Sequence, residues 1–208
     1  MRRIISIDNM RNALIIFVRN PVLGKVKTRL AAGIGDGKAL QVYEYLLQHT
    51  QSITKNIPVT KFVYYADEVN DNDVWNGFKK KLQHGDDLGE RMQHAFQELF
   101  AAGFSKICII GSDCFELTTE IVTTAFEKLG RTDVVMGPVM DGGYYLLGTN
   151  RLIPEFFTNK TWSTATVFAD TLKDAAVLNI SVTQLPVLND IDTEKDLFNS
   201  SLAFLFDL

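Results

Sequence analysis

The feature of this sequence that most restricts its fold is the alternation of short apolar runs with longer segments of helical periodicity. Two of the runs, Ala13–Val18 and Lys106–Gly111, have the length of a β-strand. Between such runs, apolar residues recur every three or four positions, as on one face of a helix. Strands alternating with helices form right-handed βαβ units around a mostly parallel sheet. The sequence therefore predicts an α/β fold with α/β/α layers.

The remaining elements follow the same pattern. Further strands are predicted at Val59–Tyr65, Asp133–Gly137, Tyr144–Gly148 and Ile180–Leu185. Helices are predicted over Ala39–Ile53, with Asp36 as its cap, over Leu88–Leu99, over residues 118–129, and from a Ser163 cap to Ala176. The region from Val134 to Trp162 interrupts the strand–helix alternation, so the sheet is expected to be mixed there.

Length and charge narrow the class of protein. The 208 residues indicate one domain over 1–208, and the hydrophobic fraction of 46% is ordinary for a globular protein. A net charge of -4 argues against general nucleic-acid binding. Cys108 and Cys114 do not form a C-x-x-C pair and the three histidines match no zinc pattern, which favours a reduced, cytoplasmic protein. Oligomeric state is left open.

The N-terminal segment shows no signal for secretion or membrane insertion. Asp8 interrupts its apolar residues before they reach the length of a signal peptide. The run Ala13–Val18 is far shorter than the roughly 20 residues of a membrane span. We expect neither a signal peptide nor a membrane span.

A basic loop follows the first predicted strand in a protein that is acidic overall. It contains Arg19, Lys25, Lys27 and Arg29. Cations at the carboxyl end of a strand are well placed to bind phosphates. The loop is not a Walker A motif, because Lys25 is followed by valine where serine or threonine is required. The alternative is a solvated basic loop, but its position favours phosphate binding.

Two aspartates are candidates for binding a cation. Asp113 directly follows the strand at Lys106–Gly111, where its carboxylate could bind a hard cation such as Mg²⁺, or could instead brace the turn. Asp192 lies in the acidic segment Asp190–Leu197, where the dipole of the following helix is a sufficient explanation. Asp192 would matter only if it faced Asp113 across a pocket. Two such carboxylates without a counterion would repel, which should raise the pKa of at least one.

Other candidate ligand-binding residues lie in glycine-containing turns. Asp141, Gly142 and Gly143 form a turn that lets the backbone approach a ligand, although Asp-Gly also favours a plain hairpin. Gly89 and Arg91 lie where a polar loop enters a helix and could contact a nucleobase or phosphate, or simply lie on the helix surface. Trp162 is a candidate for the acceptor site.

These motifs together resemble the bacterial radical-SAM/selenodomain-associated glycosyltransferases, a family within the nucleotide-diphospho-sugar transferase superfamily. The resemblance runs from about Ile15 to Leu197 and is specific in the order and spacing of its parts. The segments that carry it are Pro21–Leu30, Gly85–Met92, Gly111–Cys114, Gly137–Tyr145, Trp162-Ser163 and Asp190–Thr193. The chain departs from the family at Phe115, where the family has proline.

The resemblance implies a GT-A fold that uses a divalent metal, Mg²⁺ or Mn²⁺. It implies that Gly24, Lys27 and Arg29 bind nucleotide phosphates and that Asp113 is a metal ligand. The sequence Asp-Ile-Asp-Thr is similar to a late acidic motif of nucleotidyltransferase relatives, which makes Asp192 the second candidate ligand.

The resulting hypothesis is a metal-dependent transferase. It would move a glycosyl or nucleotidyl group from a nucleotide-activated donor to a small-molecule acceptor, with Lys27, Arg29 and Asp113 as the catalytic residues. The alternatives are a nucleotidyltransferase acting on a nucleoside triphosphate and a non-catalytic nucleotide-binding regulatory protein.

Overall fold

The computed structural model describes residues 11–206, and the expectations for the segment around Asp8 lie outside them. One mixed sheet of seven strands runs through this part of the chain in the order β3-β2-β1-β4-β6-β5-β7. The strands are β1 (Asn12–Val18), β2 (Thr60–Tyr65), β3 (Lys79–Leu82), β4 (Lys106–Ile110), β5 (Val134–Pro138), β6 (Tyr144–Thr149) and β7 (Val182–Gln184).

Strand β6 accounts for the mixed character of the sheet. It pairs antiparallel with both β4 and β5, whereas the other neighbouring strands pair in parallel. The interruption of the strand–helix alternation predicted this mixed region. Strands β1 and β4 are parallel neighbours, so the loops that follow them lie at the same end of the sheet.

Helices cover both faces of the sheet. They are α1 (Thr28–Ile34), α2 (Asp36–Thr54), α3 (Leu88–Ala101), α4 (Thr119–Lys128), α5 (Val167–Val177) and α6 (Glu194–Asn199). Two short 3-10 helices span Pro154–Phe156 and Ser201–Leu205. In β1, Leu14 and Ile16 pack with residues of α2 and α4, and Ala13 and Ile15 pack with α3. A strand buried on both faces reads as a continuous apolar run, and the predicted three-layer α/β/α fold is confirmed.

Two predicted helix caps were wrong. Asp36 is the first residue of α2, and Gly35 precedes it as N-cap with a φ of 84°. Ser163 has a positive φ of 61°, and α5 begins later, at Val167 after Thr166. In both places a short polar residue next to a helical pattern resembles a cap, but the backbone direction of the preceding loop decides where the helix begins.

Within residues 11–206, no helix is long and apolar enough to cross a lipid bilayer.

Candidate functional site

A cavity of about 700 Å³ opens at the carboxyl ends of β1 and β4. Ligands in open α/β sheets bind at this end. Most of the sequence-predicted site residues line it. They are Arg19, Lys25, Lys27, Arg29, Arg91, Asp113, Asp141, Gly143, Trp162 and Asp192.

Tyr43 of α2 fixes the start of the basic loop. Its hydroxyl accepts a hydrogen bond from the Arg19 N–H at 2.8 Å and donates one to the Arg19 carbonyl at 3.0 Å. Burial, together with the charge of Asp113, raises the pKa of Tyr43 to about 12. The hydroxyl therefore stays protonated and can keep donating. In the sequence, Tyr43 is one of the residues of the predicted helix Ala39–Ile53, and no local signal marks it as a site residue.

Lys27 lies at the centre of the site, between the two predicted metal ligands. Its Nζ is 2.6 Å from Asp113 Oδ1 and 2.9 Å from Asp192 Oδ1. Arg29 binds the other oxygen of Asp192 at 2.5 Å. The Lys27 side chain is only 5% exposed, whereas that of Arg29 is 68% exposed. The loop cations and the two aspartates thus form one ionic cluster on the cavity wall.

A buried isoleucine and a backbone hydrogen bond bring Asp192 to Asp113. Ile191 is 1% exposed and packs in a cluster with Leu30 of α1 and residues of α2 and α6. Its N–H donates to the Asp113 carbonyl at 2.9 Å. Thr193 then caps α6 through a reciprocal pair of hydrogen bonds with Asp196. Asp192 is therefore held in place on both sides.

The charges of this cluster are mutually compensated. Burial alone would lower the pKa of Lys27, but Asp113 and Asp192 outweigh it and raise that pKa. Burial alone would raise the pKa of Asp192, but Lys27 and Arg29 outweigh it, and the pKa is lowered. The expected repulsion applied to an aspartate pair lacking a counterion, and that condition is not met here, because Lys27 contacts both Asp113 and Asp192.

Asp190 is a second residue of this site that sequence reasoning missed. Its burial and the charges of Asp113 and Asp192 raise its pKa to about 8. It lines the same cavity. In the sequence it is one acid among several before a helix, and no local signal shows that the chain folds it against two further carboxylates.

Two predicted ligand-binding glycines are required by the packing of the chain, and a third by its backbone conformation. A Cβ at Gly142, where φ is 91°, would overlap the Ala165 carbonyl oxygen. A Cβ at Gly89 would lie 2.5 Å from Trp162 Nε1. Gly24 has a φ of 73° in the turn of the basic loop. The close approach that Gly89 and Gly142 permit is to the protein's own backbone and side chains.

The turn at Asp141 and the start of α3 complete the wall. Asp141 Oδ1 accepts a hydrogen bond from the Gly143 N–H at 2.9 Å, which fixes the turn. Arg91 donates from Nε to the Gly85 carbonyl at 3.0 Å. That bond leaves the rest of the guanidinium on the cavity wall.

Phe115 follows the turn at Asp113 and is held by aromatic packing. Its ring lies 4.9 Å from that of His49 and 6.0 Å from that of Tyr45. This packing fixes the chain where the resembled family has proline.

Comparison with solved structures places the fold among the nucleotide-diphospho-sugar transferases and cytidylyltransferases. A protein from Desulfovibrio desulfuricans G20, provisionally named a nucleotide-diphospho-sugar transferase, is 30% identical, with 95% of each chain covered and a TM-score of 0.86. The 4-diphosphocytidyl-2C-methyl-D-erythritol synthase of Anaerococcus prevotii DSM 20548 is 11% identical, with 96% of this chain and 97% of that one covered and a TM-score of 0.63. The inositol-1-phosphate CTP transferase of T. maritima is also 11% identical, with 95% of each chain covered and a TM-score of 0.54.

The chain belongs to the family described as "Uncharacterized protein conserved in bacteria (DUF2064)", whose model matches residues 50–164. No curated protein matches it.

Proposed function

We propose that the protein is a metal-dependent transferase that moves a glycosyl group from a nucleotide-activated donor to a small-molecule acceptor. The observation that carries this proposal is the meeting of Lys27 and Arg29 with Asp113 and Asp192 on the wall of one cavity. Further support comes from the 30% identical protein of Desulfovibrio desulfuricans, whose name refers to that class of enzyme.

The basic loop would bind the donor's phosphates. Arg19 and Lys25 are exposed on the cavity wall and would make the first contacts. Lys27, buried in the cluster, and Arg29, exposed beside it, would neutralise the charge that grows on the leaving phosphate in the transition state. Donors preorganised where charge develops are often the largest single contribution to catalysis.

Asp113 and Asp192 would hold Mg²⁺ or Mn²⁺. Carboxylate oxygens are the ligands that these hard cations prefer, and the Asp113 side chain is 41% exposed at the cavity. Among residues 11–206, no three acidic, histidine or cysteine side chains already converge as a metal site. When bound, such a cation withdraws electron density from phosphate oxygens and orients them. We take the remaining ligands to be phosphate oxygens of the donor.

The nucleotidyl alternative has its own structural support. The phosphate-binding cations lie beside the aspartates, and nucleotidyltransferases that act on triphosphates use such loops. The radical-SAM/selenodomain resemblance favours glycosyl transfer instead. The two reactions differ in their products, because one releases a nucleotide from a sugar and the other releases pyrophosphate.

Product analysis tests the proposal. The purified protein would be incubated with Mn²⁺ and either a panel of nucleotide sugars or the four nucleoside triphosphates, and the products separated by chromatography. With water taking the place of the acceptor, we expect metal-dependent hydrolysis of at least one nucleotide sugar to free nucleotide and sugar. Release of pyrophosphate from a triphosphate would instead establish the nucleotidyl reaction. Binding without turnover of either class would leave a nucleotide-binding regulatory protein.

A further inference from the structure

The position of Lys27 creates a conflict within the site. The proposed function requires its ammonium to bind a phosphate, yet that ammonium already contacts both Asp113 and Asp192. The same two carboxylates are those proposed to hold the metal. A cation bound by both would need the space between them, which Lys27 Nζ occupies.

The backbone holds Lys27 in this position. Lys27 adopts the left-handed conformation, with φ 49° and ψ 43°, immediately before α1. Residues with a Cβ rarely adopt this conformation, because it brings the Cβ too close to the following carbonyl oxygen. Burial of Leu30 on the next turn, in one cluster with Ile191, fixes α1 beside the segment that carries Asp192. The fold thus keeps the ammonium at the carboxylates.

The electrostatics make this ammonium a real competitor for a metal ion. A nearly buried cation that loses its partners is left uncompensated, and this is strongly unfavourable. A divalent ion arriving alone would have to displace Lys27 without giving it another anion. A nucleotide phosphate entering beside Arg29 supplies that anion, since Arg29 is mostly exposed and also contacts Asp192.

We infer that Lys27 is a built-in cation at the metal position, which leaves Asp113 and Asp192 only when a donor phosphate receives it. Metal and donor then bind with positive coupling, and metal alone binds weakly. The second half of the inference, the movement of the Lys27 ammonium to a phosphate, rests on the proposed function. Its first half, the occupation of the cation position by Lys27, is independent of any substrate.

The first test measures Mn²⁺ binding in the absence of nucleotide. Lys27→Met removes the ammonium and keeps much of the side-chain volume. Lys25→Met removes an equal charge from the same loop, two residues away, at an exposed position, and is the matched control. Mn²⁺ affinity would be measured by electron paramagnetic resonance. We expect Lys27→Met to bind Mn²⁺ on the order of 10-fold more tightly than wild type, a typical coupling between competing ligands.

The control variant separates competition from general electrostatics. We expect Lys25→Met to change Mn²⁺ affinity by much less than Lys27→Met does. An unchanged or weaker affinity in folded Lys27→Met, or an equal gain in both variants, would overturn the inference.

A second measurement follows the wild-type protein, and a conservative variant serves only to assign one resonance. The ammonium resonance of Lys27 would be followed by ¹⁵N NMR, with its assignment made by its loss in Lys27→Arg. Mg²⁺ alone should leave this resonance in place, and Mg²⁺ with inorganic pyrophosphate should shift it. Displacement by Mg²⁺ alone would refute the inference.

The two measurements distinguish this inference from the proposed function. A protein that binds neither pyrophosphate nor any nucleotide would contradict the proposed function. The Mn²⁺ affinities of Lys27→Met and Lys25→Met would then still decide whether Lys27 occupies the cation position.

Discussion

Lys27 and Arg29 are two residues apart, Lys27 at the N-cap of α1 and Arg29 in its first turn, yet they differ in what a substitution should do. The Arg29 side chain is 68% exposed, and within residues 11–206 it pairs only with Asp192, with which Lys27 also pairs. Exposed ion pairs of this kind contribute little to stability. We therefore expect Arg29→Ala to change the free energy of unfolding by less than about 1 kcal/mol. Its affinity for a nucleotide should fall by roughly 5- to 10-fold, about 1 kcal/mol for an exposed charged contact.

Calorimetric titration at low and high salt would measure this loss. The loss should shrink at high salt, because exposed charges are screened. Arg151→Ala is the control, since Arg151 is another exposed arginine paired with an aspartate, Asp133, but does not line the cavity. If the two variants bound nucleotide equally well at low salt, Arg29 would have no role in phosphate binding.

Gly142 offers a test of packing at single-residue scale. An added Cβ would overlap the Ala165 carbonyl oxygen, and φ is 91°. We expect Gly142→Ala to lower the free energy of unfolding by about 1–3 kcal/mol. Gly37→Ala is the matched control, because Gly37 lies in α2 and a Cβ there would meet nothing within 4 Å, so alanine should stabilise the helix by up to about 1 kcal/mol. Urea unfolding should show changes of opposite sign in the free energy of unfolding of the two variants. Equal changes would contradict the packing role of Gly142.

At the scale of elements, the sequence predicted the strands whose apolar pattern follows directly from their burial. Strands β1 and β4 are buried on both faces, so their apolar runs are continuous. Strand β3 was not predicted, because Lys79 and Lys81 lie over the Phe62 ring at the edge of the sheet and give no apolar pattern. Charged residues are common on exposed edges. Helix α1 was missed because it is held by Leu30 in a tertiary cluster rather than by its own sequence.

His49 on α2 should make the stability of the protein depend on pH. Its ring packs against Phe115 and hydrogen-bonds to the Leu117 carbonyl at 3.0 Å. Burial lowers the pKa of His49 below its usual 6.5, although the bond to Leu117 opposes this. The unfolded chain therefore takes up a proton before the folded one does, so stability is lost as the pH falls through 6.5 towards the folded-state pKa.

Chemical unfolding of wild type and His49→Gln at about pH 7.5 and about pH 5.5, on either side of the ordinary histidine pKa, would measure this effect. Glutamine can keep a donor near the Leu117 carbonyl but does not titrate. We expect wild type to lose more stability than His49→Gln between the two pH values. Parallel losses in the two proteins would show that His49 does not contribute. His94→Gln is the control for a histidine on the surface, since His94 is exposed.

At the scale of the whole molecule, the site exists because distant segments meet at one end of the sheet. The segment after β7 runs beside the end of β5, where the Leu188 N–H donates to the Pro138 carbonyl at 3.1 Å, and then reaches Asp113 through Ile191. The motifs could be identified in the sequence, and their common location followed from the parallel order of β1 and β4. The place of Lys27 between the aspartates and the burial of Asp190 could not, because both depend on this tertiary path.

Because Asp113 and Asp192 meet in one cavity, both should contribute to the stabilisation of the protein by bound Mn²⁺ and nucleotide. With Mn²⁺ and a nucleotide at about 100 times its Kd, the wild-type protein should gain about 2.7 kcal/mol against unfolding. Asp113→Asn and Asp192→Asn should each remove the part of that gain that requires Mn²⁺, because each loses a proposed ligand. Without ligand, each should be less stable by roughly 1–3 kcal/mol, since the buried Lys27 loses a charged partner.

Asp170→Asn, an exposed aspartate paired with Lys173, should keep the full ligand-dependent gain. Thermal unfolding with and without Mn²⁺ would decide the matter, and an intact Mn²⁺-dependent gain in both cavity variants would refute the two-aspartate metal site.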